Sequence, residues 1–151
     1  MFHDSTDSCM GCLDIAISKS VDGRGMNHWS IHLYQEEQTG AVYEAAGDPE
    51  EYYLNIIKDH DPRTDPIHWR SIEVCDGICE TDMRLIDEEL RKVPVDNESY
   101  NFNCQVWVFE ALEGLYDMEL IPNYEYHEAY EKLMALHYDT HGERESDHEE
   151  E

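Results

Sequence analysis

The sequence predicts a single α+β domain, and three observations carry that prediction. Leu13 to Ser18 and His28 to Tyr34 alternate apolar and polar residues with a period of two, as half-buried strands do. Thr81 to Val93 and the stretch after Asn103 instead space their apolar residues three and four apart, as amphipathic helices do. The 151 residues fit one domain, and a hydrophobic fraction of 40% with 10 Tyr, 3 Trp and 3 Phe supplies one core. The expected architecture is an antiparallel β-sheet of about four or five strands packed against helices.

The elements follow in order. Residues 1–11 form a polar lead-in, residues 12–139 the domain, and residues 140–151 an acidic tail with too little apolar surface to fold. Leu13, Ile15 and Ile17 mark a first strand. Val21-Asp22-Gly23-Arg24-Gly25 is a turn-rich connection. In the second strand Trp29, Ile31 and Leu33 share one face, and His28, Ser30, His32 and Tyr34 the other. Ala41 to Ala46 pairs back on it as a hairpin. Pro49 predicts a helix over Glu50–Lys58, because proline suits a first helical turn. Ile67 to Val74 reads as a strand whose alternation slips by one. Thr81 is the expected cap of a helix ended by Pro94. Asn103 caps the clearest helix, with Cys104, Val108, Ala111, Leu112 and Leu115 on one face. A last helix spans Glu125 to Tyr138, with Tyr126, Tyr130, Leu133, Met134 and His137 on one side.

Charge narrows the partners. There are 36 Asp and Glu against 10 Lys and Arg, a net charge of -26. Such a surface repels nucleic-acid phosphates and anionic lipid heads, and it attracts basic proteins. The first residues lack a basic segment followed by an apolar run, and no stretch is apolar enough to span a bilayer. A cytoplasmic protein is expected, with its five cysteines as reduced thiols.

One cysteine has a chemically useful address. Cys104 falls in the first turn of its helix, where unpaired N–H groups and the helix dipole favour an anion. A thiolate is the nucleophilic form of cysteine, and a neighbouring imidazole can carry its proton to a leaving group. The backbone amide of Gln105, or that of Cys104, is placed to bind an oxyanion. The competing reading is a buried cysteine that packs as a small hydrophobe. His28 is the candidate base. His32 is the alternative base, four residues along the same face and so about 13 Å away at strand rise; His68 is a third, less well placed. Glu44 lies across the expected hairpin and could orient the imidazole, as a base requires.

Asn27-His28-Trp29-Ser30-Ile31-His32-Leu33 resembles the His-Trp strand of the circularly permuted NlpC/P60-like, papain-like cysteine enzymes, which include the lecithin:retinol acyltransferase-like and PPPDE proteins. Tyr100-Asn101-Phe102-Asn103-Cys104-Gln105 resembles their Asn-Cys helix start, and Ile121-Pro122 the end of the PPPDE helix. Ala41 to Ala46 is similar to the next strand, where some members carry a second polar residue at the position of Glu44. The likeness spans residues 13–122 and extends to uncharacterised fungal proteins. It implies a Cys-His hydrolase or acyl-transfer enzyme without a cofactor, acting on a protein or on a small amide or ester. Cys104 would be the nucleophile, His28 the base and Glu44 its orienter. Gln105-Val106-Trp107 departs from the residues common after the family's cysteine, and Glu44 stands where a histidine or amide is often found. An inactive scaffold that binds a basic protein is the other reading.

The remaining constellations are weaker. Cys9-Met10-Gly11-Cys12 and Cys75 with Cys79 could together hold zinc, but the second spacing is unusual and ordinary thiols explain both. His127, His137, His141 and His148 form no metal motif, and Gly23-Arg24-Gly25 lacks a phosphate-loop fingerprint.

Overall fold

The computed structural model describes residues 9–20 and 26–137. Five strands, β1 (Gly11–Ser18), β2 (His28–Gln35), β3 (Ala41–Ala46), β4 (Tyr53–Lys58) and β5 (His68–Ile78), form one sheet in the order β4-β3-β2-β1-β5. Every pairing is antiparallel. Three helices complete the α+β fold: α1 (Glu80–Leu90), α2 (Cys104–Asp117) and α3 (Asn123–Leu136).

The alternation in β1 and β2 sorts the two sheet faces. Leu13, Ile15, Ile17, Trp29, Ile31 and Leu33 enter the core, where they meet Trp107, Val108, Ala111, Leu112 and Leu115 of α2. Ile86 and Leu90 of α1 and Leu133 of α3 close the same core. The opposite face carries Asp14, Ser30, His32 and Tyr34. A short 3-10 turn at Pro62–Thr64 lies over that face, burying Pro62 and setting Arg63 on the Tyr34 ring at 4.7 Å.

The helix expected over Glu50–Lys58 is instead a turn followed by β4. Gly47 and Glu50 have φ of 104° and 72°, so Pro49 sits in a turn that stops a helix before it starts. Tyr53, Ile56 and Ile57 favour a pleated strand, and β4 pairs with β3 over its whole length, Ala41 opposite Lys58 through Ala46 opposite Tyr53. The slipped alternation near Ile67–Val74 also has a cause. β5 runs to Ile78 and its register against β1 shifts at three points, each turning the following side chains to the other face.

The helices differ from expectation at their edges and, in α3, in the face that is buried. α1 begins one residue before Thr81, with Cys79 at its cap position and no side-chain cap bond. α3 buries Tyr126, Ala129, Leu133 and Leu136, while Tyr130 and Met134 face solvent. α2 begins as expected: the Asn103 side chain accepts from the amides of Gln105 and Val106, both at 2.9 Å. Replacing Asn103 with alanine removes both bonds, and the expected loss of folding free energy is about 1 kcal/mol in urea unfolding.

The reading of all five cysteines as reduced thiols is corrected. Cys9 and Cys79 are joined as a disulfide across 70 residues, tying the approach to β1 to the start of α1. Cys12, Cys75 and Cys104 are free and buried. The expected tail, 140–151, and most of the lead-in lie outside the described residues. Among the described residues, no helix is long and apolar enough to cross a membrane.

Candidate active site

The β2–β3 hairpin fixes the histidine–carboxylate pair. Gly40, at φ 77°, occupies the left-handed region that closes the turn, and the strands then pair Leu33 with Ala41 and Ile31 with Tyr43. Extending that register puts Glu44 across from Ser30, a diagonal neighbour of His28 on the same face. His28 Nε2 donates to Glu44 Oε1 at 2.7 Å. The other carboxylate oxygen, Oε2, accepts from Asn55 Nδ2 at 2.8 Å, so Glu44 is held from both sides.

Cys104 reaches this pair from α2. Its backbone follows the Asn103 cap, and its thiol lies within hydrogen-bonding influence of the His28 ring. The thiol also points at the carbonyl oxygen of Asn27, 3.9 Å away. Cys104 is 8% exposed. Phe102 and Tyr52 pack edge to face nearby at 5.5 Å, and the Tyr52 hydroxyl is pushed up by burial and by the cysteine.

The electrostatics follow from these contacts. Burial works against a charged His28, but hydrogen bonds to Cys104 and Glu44 outweigh it and push the ring up to about 10. Burial likewise opposes charge on Glu44, and its bonds to His28 and Asn55 override that and hold the carboxyl below its usual range. The arrangement therefore favours the protonated His28 ring and the ionised Glu44 carboxylate together.

That gives a pH prediction with a definite sign. Below about 6.5 the ring is protonated in both the folded and unfolded chains, so the pair's contribution to stability is complete. It is lost as pH rises through about 10, where the folded ring also gives up its proton. The His28 side chain is 39% exposed, so solvent screens part of the effect. The melting-temperature advantage of the native chain over His28→Gln is expected to shrink between pH 7 and pH 10. An advantage that grows over that interval contradicts the assignment.

Gln105 is built in differently from the sequence expectation. Its backbone amide donates to Asn103 Oδ1 and is occupied by the cap. Its side chain is fully buried, donating from Nε2 to Asn27 O at 3.0 Å and pairing through Oε1 with His137 Nδ1 at 2.9 Å. Gln105 is thus a strut that joins the start of α2 and the end of α3 to the residue before His28. Of the two amides, the cap takes that of Gln105, and that of Cys104 lies in the first turn, where no intrahelical acceptor exists.

The other histidines stand apart. His32 is fully buried, gives Nε2 to Thr39 O at 2.6 Å and stacks on Tyr34 at 4.1 Å; burial pushes its ring down from the usual histidine range. His68 sits on β5 with Nε2 3.5 Å from Ser71 Oγ. Neither joins Cys104. Among the described residues, no three His, Cys, Asp or Glu side chains gather to hold a metal ion.

His28 and Glu44 line a cavity of about 400 Å³ on the sheet face away from the helices. Val42, Ile57, Pro62 and Ile67 give it apolar walls, and a second histidine–carboxylate pair, His60 with Asp65 at 3.1 Å, opens into it. Cys104 does not line this cavity. Asn27, Asn55 and His137 escaped sequence reasoning. Asn55 lay in the segment read as a helix, and a strand reading of Tyr53–Lys58 would have placed it beside Glu44.

No curated protein matches the chain, and no solved structure matches it. Residues 15–122, which contain β2, β3 and α2 with Cys104, His28 and Glu44, match a family of unknown function, DUF6540, and the chain belongs to that family.

Proposed function

We propose that the protein is a thiol hydrolase or acyl-transfer enzyme acting on amide, isopeptide or ester bonds, on the permuted papain-like plan that its His-Trp strand and Asn-Cys helix resemble. One observation carries the reading: Cys104 opens a helix beside a histidine whose Nε2 is held by a carboxylate at 2.7 Å. Imidazolium beside the sulfur stabilises the thiolate. The sulfur attacks the carbonyl carbon, and the oxygen that becomes negative is met by the Cys104 amide. His28 then protonates the leaving nitrogen or oxygen as its bond to carbon breaks, which leaves an acyl-thioester. Water or an acceptor nucleophile gives its proton to His28, attacks the thioester carbon and releases the sulfur. Glu44 holds the ring throughout. This route needs no cofactor. We place the reaction in the cytoplasm, where a reducing environment keeps a catalytic thiol free, and the Cys9–Cys79 disulfide leaves Cys104 as a free thiol.

A second reading is favoured by the near-complete burial of Cys104 and by its thiol pointing at the Asn27 carbonyl. In it the scaffold is inactive and its acidic surface binds a basic protein. A p-nitrophenyl ester separates the two. The enzyme reading expects p-nitrophenol release together with an acyl adduct mapped to Cys104, both absent in Cys104→Ser. Absence of release, or an adduct found on Cys12 instead, favours the inactive scaffold.

A further inference from the structure

The groove between α2 and α3 lies on a different side of α2 from Cys104. It encloses about 260 Å³. Phe109 of α2 and Tyr126, His127 and Tyr130 of α3 supply its rings. Phe109 and Tyr130 are 5.3 Å apart and inclined by 57°; Tyr126 and Tyr130 are 5.9 Å apart and inclined by 46°. Inclined rings present their negative faces from several directions, which suits a cation. Two carboxylates on α2, Glu110 and Glu113, also line the groove, and no lysine or arginine does. Burial pushes the Glu110 carboxyl up, and the like charges of Asp96 and Glu113 add to this, as expected where a missing counter-charge would be welcome.

We propose that this groove binds a lysine side chain of a basic peptide, with Phe109, Tyr126 and Tyr130 around its stem and ammonium and Glu110 and Glu113 as its counter-charges. Charge complementarity selects the occupant. A lysine stem covers apolar ring surface while its head stays polar. Its ammonium, with three rotatable donors, can meet two separate carboxylates a helical turn apart, where a planar guanidinium fork has no matching partner. The site is independent of the thiol chemistry and stands whether or not Cys104 is active.

The test is fluorescence anisotropy with the full chain and a labelled glycine-serine peptide carrying several lysines, at 0.15 M salt to screen long-range attraction. The same peptide with every lysine acetylated is the neutral control. The lysine peptide is expected to bind and the acetylated one to fail. Glu110→Gln with Glu113→Gln, and separately Tyr130→Leu, are each expected to weaken binding about tenfold. Glu36→Gln with Glu88→Gln removes the same charge from exposed positions elsewhere and is expected to change affinity less than twofold. All these side chains are exposed, so the variants should keep the native melting temperature within a few degrees. No binding of the lysine peptide, equal loss in both charge pairs, or full affinity in the groove variants overturns the proposal.

Discussion

Replacing His28 with glutamine should lower the proposed turnover by a factor of about 10² to 10⁴, the range typical of a general acid–base group. Glutamine is close in size and polar, so the start of β2 keeps its place while the titrating group is lost. Cys104 then stands beside a neutral amide that can neither stabilise a thiolate nor protonate a leaving group. Glu44→Gln is the graded companion. It retains a hydrogen-bonding partner for Nε2 but removes the carboxylate charge that helps to hold the ring at about 10. Its basic limb in a pH–rate profile should therefore move to lower pH, with a smaller loss at neutral pH than in His28→Gln. His32→Gln provides the contrast, because that ring bonds to Thr39 O and makes no contact with the triad. Steady-state hydrolysis of an activated ester across pH reads all three. Equal losses in His28→Gln and His32→Gln would mean that the effect is structural.

The largest stability effect is expected at Trp107. It is fully buried on the sheet-facing side of α2, in the same core as Trp29, Ile31 and Leu112. Trp107→Ala should cost about 3 to 5 kcal/mol, from lost burial and the cavity left behind. Against a typical total of about 5 to 15 kcal/mol this is a large fraction, and the melting temperature should fall by roughly 10 °C or more. Trp107→Phe should cost much less than the alanine change. The indole Nε1 is buried without a hydrogen-bond partner, so phenylalanine keeps much of the apolar contact and sacrifices no bond. Urea unfolding monitored by circular dichroism distinguishes the two. A phenylalanine variant as unstable as the alanine one would show that the ring's full volume, and not its apolar burial, sets the core.

Much of the fold was legible because its physics is local. Leu13, Ile15 and Ile17, then Trp29, Ile31 and Leu33, alternate cleanly, and each set lies on the core face of its strand. Asn103 announced the start of α2 by residue type and position. β4 was missed because Pro49 carries two meanings, a helix start and a turn; Gly47 and Glu50 at positive φ decided for the turn. β5 was blurred because its bulges break the period that reveals a strand. The His28–Glu44 pair was legible because a hairpin's register follows from its two strands. The Gln105 strut was not, because it joins residues 27, 105 and 137, and no local pattern specifies such a meeting. The Cys9–Cys79 pairing was hidden for the same reason, since cysteine connectivity does not follow from spacing.

The central claim is that His28 activates Cys104. The most direct measurement is the rate of iodoacetamide alkylation at each cysteine, mapped by mass spectrometry on the folded chain at pH 7. Cys12 and Cys75 are the internal references, because both are buried and free. Burial pushes the Cys12 thiol up and the Cys75 thiol up to about 12, so both should react slowly. The account predicts that Cys104 reacts at least tenfold faster than either, and that His28→Gln removes the difference. Cys104 reacting no faster than Cys75, or equally fast with and without His28, contradicts it.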